Sequence, residues 1–533
     1  MSNRLFTSVK VKRPKRNVFD LSHERKLSFN MGDLVPIFLE EVVPGDSFRL
    51  NTELFIRLAP MLAPMMHRVN VYTHFFYVPN RLVFDKWQDF ITGGVDGQDE
   101  TVFPNFNVFD TPDPTLFLDG SLSDYLGLPS LPAVPPSPSF SEFFVNSLPF
   151  RSYQLIYNEF YRDQTLTPEV VFGKGSTVSS ADIGSICKLR RRSWEKDYFT
   201  SALPWPQRGA DVLLPLGESA PVVFDGFPIG NPPEFVNSVG SRVDIGDLQS
   251  TRFPMIPGSP YGIGSSGAPT QPLGLDPRGS LQADLSDASS STINEWRRAL
   301  RLQEWLEKNA RAGSRYIEQI LSHFGVRSSD ARLQRPEFLG GGKSPVVISE
   351  VLQTSASDDV TPQGNMSGHG VAVGNTHGFK KFFEEHGFVI GIMSVLPRTA
   401  YFQGVPKKFF KSDKFDYFWP SFAHLGEQPI LNKELYVSSD ADVNESTFGY
   451  TPRYAEYKYA PNTVHGDFRS NMSYWHMARS FSSRPNLNAA FVSSDPTHRI
   501  FAVTDPSVHK LYAQVYHNCK AIRPMPKFGT PTL

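Results

Sequence analysis

Strand-like alternation occurs near both ends of this chain and is missing from its long middle, so any sheet it forms must pair segments hundreds of residues apart. Phe48, Leu50, Thr52, Leu54, Ile56 and Leu58 alternate with Arg49, Asn51, Glu53 and Arg57. That is the period-two pattern of a strand with one wet face. Val69, Val71, Thr73, Phe75 and Tyr77 repeat it, and at the far end Leu511, Ala513, Val515, Cys519 and Ala521 oppose Tyr512, Gln514, Asn518 and Lys520. Phe388–Leu396 is apolar on both faces, as a covered strand would be. The expectation is a mainly β fold built as one interrupted barrel, not a string of domains.

A length of 533 residues allows several domains, but antiparallel barrels absorb large loop insertions, so one β core with excursions is expected. The 43 phenylalanines suit pleated surfaces and the 44 prolines suit long irregular connections. Lys and Arg total 53 against 54 Asp and Glu, so the chain as a whole is no electrostatic coat for nucleic acid, and any such contact must be local. Cys187 and Cys519 lie too far apart in sequence for a metal-ligand spacing and give little support for a disulfide framework. Met1–Arg16 is polar and basic rather than an apolar leader, and no apolar run approaches the roughly 20 residues of a membrane span, so no membrane insertion is expected.

Charge is distributed unevenly. Residues 1–16 hold Arg4, Lys10, Lys12, Arg13, Lys15 and Arg16 and no acidic residue, a basic arm that calls for a polyanionic partner and forms the candidate nucleic-acid-binding set. A single β-barrel domain over residues 17–533 is expected to follow it. Lys188, Arg190, Arg191 and Arg192 form a second basic cluster, which fits a solvated or subunit-facing patch as well as a nucleic-acid contact. Between Pro204 and Ser290 stand 13 prolines and 12 glycines, so strands there must be short, although Val222–Phe224 and Phe253–Ile256 argue for local folding. Residues 209–291 carry nine acidic residues against three arginines and no lysine, a net charge opposite in sign to the arm. A helical insertion over 292–325 comes next. Thr292 and Glu295 are spaced as a capping box, Gly313 ends the first helix, and Ser314–Phe324 stops at Gly325. A further helix is expected at Tyr153–Tyr161, and strands resume after Pro345.

Catalytic and metal signatures are weak. Gly262, Gly264 and Gly267 have dinucleotide-binding spacing but neither the preceding strand nor the following helix. Asp440, Asp442 and Asn444 imitate a calcium loop, but Glu445 replaces its glycine and Thr451 its glutamate. No HExxH or Gly-x-Ser-x-Gly is present, and His369 and His377 read as part of a Gly-rich loop. No enzymatic activity and no cofactor is expected; a metal site is left open.

Six longer strings then carry a resemblance: Tyr77–Leu82, Tyr153–Asp163, Asp197–Gln207, Phe324–Leu339, Ile348–Thr354 and Tyr450–Lys458. In this order they resemble the major capsid protein of the microviruses, and the Pro/Gly-rich insertion is similar to that of the gokushovirus branch, small single-stranded DNA bacteriophages. The resemblance implies an eight-stranded antiparallel viral jelly roll with large loop and helical insertions, assembled as a T=1 icosahedral shell around circular single-stranded DNA. It also implies residues 209–291 as a three-fold protrusion used in host attachment. The implied partners are other copies of the chain, the genome, a small basic DNA-packaging protein, scaffolding and DNA pilot proteins and a host-surface receptor. The implied location is the virion, assembled in the bacterial host cytoplasm. A jelly-roll carbohydrate-binding module is the alternative the barrel alone permits, and a cupin enzyme would need clustered His and Glu ligands that are not visible.

Overall fold

The computed structural model describes residues 15–528 apart from 96, 112, 132–141, 314, 355–365 and, within 213–292, all but five short strand segments. The chain divides into two compact units, Met1–Arg208 with Glu307–Leu533, and Gly209–Leu306.

The larger unit is organised by ten strand segments: β1 Asn17–Asp20, β2 His23–Phe29, β3 Val35–Val42, β4 Ser47–Leu58, β5 Val69–Pro79, β6 Glu337–Pro345, β7 Val347–Leu352, β8 Met366–Phe382, β9 Gly387–Pro397 and β10 Leu511–Arg523. One antiparallel sheet runs β7-β8-β4-β10, with β1 and β2 both lying along the far side of β10; the other runs β6-β5-β9-β3. Two strands are interrupted. β1 and β2 keep one register against β10 across Leu21 and Ser22, and the chain passes between sheets at Val346, where β6 gives way to β7. Counting each interrupted strand once gives eight, the antiparallel jelly roll expected from the sequence.

The inner faces of the two sheets supply the core. Ile37, Leu54, Ile56, Val71, Ala372, Val395, Ala513 and Val515 meet in one cluster, and Phe38, Phe48, Phe75, Phe379 and Cys519 in another. Each such Leu, Ile or Phe contributes on the order of 1.5–3 kcal/mol by leaving water. The outer face of the four-stranded sheet is covered as well. Phe76, Val78, Phe388 and Ile390 pack under the helices Leu122–Leu126, Leu148–Ile156 and Ser180–Ile186, which explains why β9 is buried throughout and apolar except at Ser394. The helix read at Tyr153–Tyr161 begins earlier, at Leu148, because Pro149 fits a first turn; it widens into a π turn over Tyr157–Tyr161. Among the described residues nothing covers the outer face of the larger sheet in this way, and Arg49, Glu53, Arg57, Tyr512, Gln514 and Lys520 stand exposed on it.

The Gly-rich loop assigned to His369 and His377 is instead the long strand β8, and the strands resume at Glu337 rather than after Pro345. Glycine is used here for close approach, not for turning. A Cβ at Gly368 would overlap the Ala63 carbonyl and one at Gly378 the Leu50 carbonyl.

In the second unit, Val222–Phe224 pairs with Leu281–Ala283, and Phe235–Val236 pairs with both Arg242–Val243 and Gly274–Leu275, all antiparallel. Phe253–Ile256 and the glycines at 262, 264 and 267 lie outside the described residues. The helix Ile293–Ala312 stops at Gly313, whose φ of +109° suits glycine, and the next helix, Tyr316–Phe324, ends on Gly325 at +68°.

Candidate nucleic-acid interface

Of the six arm residues, Arg4, Lys10, Lys12 and Arg13 lie outside the described residues. Lys15 and Arg16 are exposed where the arm runs into β1. The Arg16 guanidinium donates to the Gly45 carbonyl at 2.6 Å and stands 5.2 Å from the centre of the Phe382 ring. Phe382 belongs to the uncovered face of the larger sheet, two residues along β8 from Lys380. The last residues of the arm therefore lie at one end of that face.

The register of the sheet then lines up a row of cations. Lys380 on β8 is opposite Arg49 on β4, Arg49 is opposite Lys520 on β10, and Lys520 is opposite Asp20 on β1. Directly opposed side chains in such a ladder have Cβ atoms about 4.5–5.5 Å apart, where like charges repel. The Lys380, Arg49 and Lys520 side chains make no hydrogen bond or ion pair with the described residues. Asp20 is drawn instead to its own turn, its carboxylate accepting from the Ser22 amide at 3.0 Å and the Ser22 hydroxyl at 2.5 Å, which holds its pKa below the usual value. Aromatic rings are interleaved with these charges. Arg57 lies 5.2 Å from the Phe55 ring, Tyr512 is opposite Arg57, and Phe382 and Tyr512 are about half exposed. Cations beside accessible rings are what a single strand needs, since phosphates and unstacked base faces are then met together. The sequence had placed Arg49, Arg57 and Lys520 on wet strand faces, but only the register shows that Arg49, Lys380 and Lys520 are neighbours.

The second basic cluster is built into the fold. Arg190 donates to Gln154 Oε1 at 2.9 Å and to the Ser185 carbonyl at 2.7 Å; Arg191 pairs with Asp33 and Asp495; Arg192 stands 4.2 Å from the Tyr72 ring. These guanidiniums pin the segment leading into Trp194 rather than wait for a polyanion. Lys188 and Arg191 are the exposed members of the cluster, and Arg191 is held by its two carboxylates.

The calcium-like string is a short helix, Ala441–Glu445. Asp440 caps it by accepting from the Asp442 and Val443 amides, and Asn444 bonds Ser438, so these oxygens are turned to the backbone. Among the described residues no group of three or more His, Cys, Asp or Glu side chains is placed to hold a metal ion, and no helix is long and apolar enough to cross a membrane. Cys187 and Cys519 are both free and buried.

Residues 7–533 match the family described as capsid protein (F protein). The chain is 39% identical over 528 residues to the capsid protein VP1 of Bdellovibrio phage phiMH2K, covering 97% of this chain and 95% of that one. It is 36% identical to VP1 of Chlamydia phage 1, with 100% and 98% covered, and 32% identical to VP1 of Spiroplasma virus 4, with 97% and 95% covered.

Proposed function

This chain belongs to the capsid protein (F protein) family, as a structural capsid subunit of microvirus-type phages and a component of the virion, and from that premise we propose that it closes into a T=1 icosahedral shell around circular single-stranded DNA. The observation that carries the DNA part is the row Lys380–Arg49–Lys520, three cations that make no ion pair with the described residues, beside the place where the basic arm joins the sheet. Self-assembly is supported by the edge strand β7, which has no further strand partner among the described residues and leaves Val347 and Val351 more than half exposed. Residues 1–16 form the arm that reaches DNA. Residues 209–291, net negative and rich in proline and glycine, form an outward protrusion used in host attachment. Assembly takes place in the host cytoplasm with a small basic packaging protein, scaffolding proteins and a DNA pilot protein.

Expressing the chain with its neighbouring phage genes and sedimenting the product tests this. Closed particles holding nuclease-protected single-stranded DNA are expected, and a discrete small oligomer without DNA would overturn the reading. In the same assay, replacing Lys10, Lys12, Arg13, Lys15 and Arg16 with glutamine should lower the packaged DNA. The six arm cations, Arg4 included, correspond to a log-log salt slope of about −4 on a single strand. Unchanged DNA content would remove the arm from the interface. The attachment role is separate: particles lacking residues 212–288 should assemble but adsorb poorly to host cells, and normal adsorption would refute it.

A further inference from the structure

A second surface combines rings and lysines without the regularity of a sheet. Between β9 and β10, three short helical turns, Lys407–Phe409, Lys414–Asp416 and Pro420–Phe422, hold Phe409 72% exposed and Phe415, Tyr417, Phe418 and Trp419 each about half exposed. Tyr457 and Tyr459 join them from the neighbouring turn, also about half exposed. The rings are held in place from below. Trp419 Nε1 donates to the Lys414 carbonyl at 3.0 Å, Phe418 packs edge-on against Tyr454 at 5.1 Å, and Arg453 donates to the Phe415 carbonyl at 3.1 Å. Tyr454 is buried with φ at +61°, a left-handed conformation costly for a residue with a Cβ. Its amide is fixed by Gln428 Oε1 at 3.0 Å. Phe418, Ala423, Arg453, Tyr454, Tyr457 and Lys458 enclose a cleft of about 350 Å³.

Charge decides what this surface is for. Lys411 is neutralised by Glu456 at 3.0 Å, whereas Lys407, Lys408, Lys414, Arg453 and Lys458 have no ion pair among the described residues. The two nearest acids spend their hydrogen bonds on the backbone, Asp416 accepting from the Ser412 and Asp413 amides, both at 3.0 Å, and Asp413 from the Phe415 amide, so Lys407 acts on Asp416 by its charge without a direct ion pair. Exposed rings alone would suit another protein, but cores of protein interfaces are depleted in lysine. An acidic peptide would use the lysines and leave the ring faces idle. Single-stranded nucleic acid uses both, its phosphates on the cations and its bases on the rings.

We propose that residues 407–425 with 453–459 form a base-stacking platform for single-stranded DNA, distinct from the sheet face and the arm. The proposal rests on the reading of this chain as a shell around such DNA. Short-wavelength ultraviolet cross-linking of intact purified particles, followed by digestion and mass spectrometry of nucleotide-bearing peptides, tests it directly. Adducts are expected on peptides from 407–425 or 453–459. Phe409→Leu should remove any adduct at that position, and the triple variant K407Q/K408Q/K414Q should lower the platform's adduct yield severalfold while particles sediment as before. DNA-filled particles whose adducts lie only elsewhere would overturn the platform and leave the shell reading standing. Failure of the triple variant to form particles would instead assign this surface to a contact between copies. Particles without DNA would overturn both readings together.

Discussion

Gly378→Ala should abolish recoverable particles, with a loss of subunit stability of at least ~3 kcal/mol. Gly378 sits where the register between β8 and β4 shifts between Thr376 and Phe379, and the atoms that an added Cβ would meet are the Leu50 carbonyl oxygen and carbon and the Asn51 Cα. All belong to the backbone of the central strand of the larger sheet, so relief requires parting β4 from β8, not rotating a side chain. Gly374→Ala, four residues earlier, meets the Ser344 hydroxyl first, which can turn away, and should cost less. Gly175→Ala has nothing within 4 Å and should be silent. Particle yield and the unfolding temperature of the three variants check the ranking; a silent Gly378→Ala would mean the two strands do not approach as described.

His517→Gln should flatten the acid sensitivity of the subunit. The imidazole is fully buried between the sheets, its Nε2–H donating to the Ile37 carbonyl at 2.8 Å and its Nδ1 accepting from the Thr52 hydroxyl at 2.9 Å. Burial, with His23 and Arg25 nearby, pushes its pKa down to about 3 from an ordinary 6.5, and burial with Arg192 pushes His74 down to about 4. Between pH 6.5 and those values an unfolded chain takes up protons that the folded one refuses. Stability that is complete above 6.5 is therefore lost as the pH falls, by up to about 1.4 kcal/mol per pH unit for each ring. Asp33 works in the opposite sense. Burial, only partly offset by Arg191, raises its pKa to about 6, so its contribution grows as the pH falls from there towards 3.8. Glutamine at 517 keeps a donor for Ile37 and cannot be protonated, so comparison with the unaltered chain removes the Asp33 contribution. The fall in thermal unfolding temperature of particles from about pH 7 to about pH 4.5 should shrink by a few degrees in the variant. An unchanged fall would show that the ring is not held neutral.

Much of the jelly roll was legible because one-sided burial writes itself into alternation. Phe48–Leu58 and Leu511–Ala521 could be read as strands with one wet face and Phe388–Leu396 as a doubly covered one, whereas Val69–Tyr77, read as one-faced, is buried on both faces because helices cover its outer side. β8 could not, since four of its residues between 368 and 378 are glycines whose purpose is visible only with Ala63 and Leu50 beside them. The candidate interface was legible in part: the arm stands out as a run of one sign, whereas Arg49, Lys380 and Lys520 become neighbours only through a register joining three distant segments. The ring-and-lysine surface at 407–425 escaped for a different reason. Its short 3₁₀ turns have neither a helical nor a strand period, so nothing in the spacing separates exposed rings from core ones.

The place of β10 has a consequence for how the protein comes into being. This strand lies between β4 on one side and β1 with β2 on the other, yet it leaves the ribosome hundreds of residues after all three. Until then β4 offers one unsatisfied edge and the first two segments have nothing to pair with, while translation continues through the long middle of the chain. Closure of the core is thus postponed to the end of synthesis, and such distant pairing is slow. A chain cut short anywhere before Leu511 lacks the strand that joins its beginning to the rest. Aborted translation products would thereby be excluded from a growing shell by their own topology, without any separate device to inspect them.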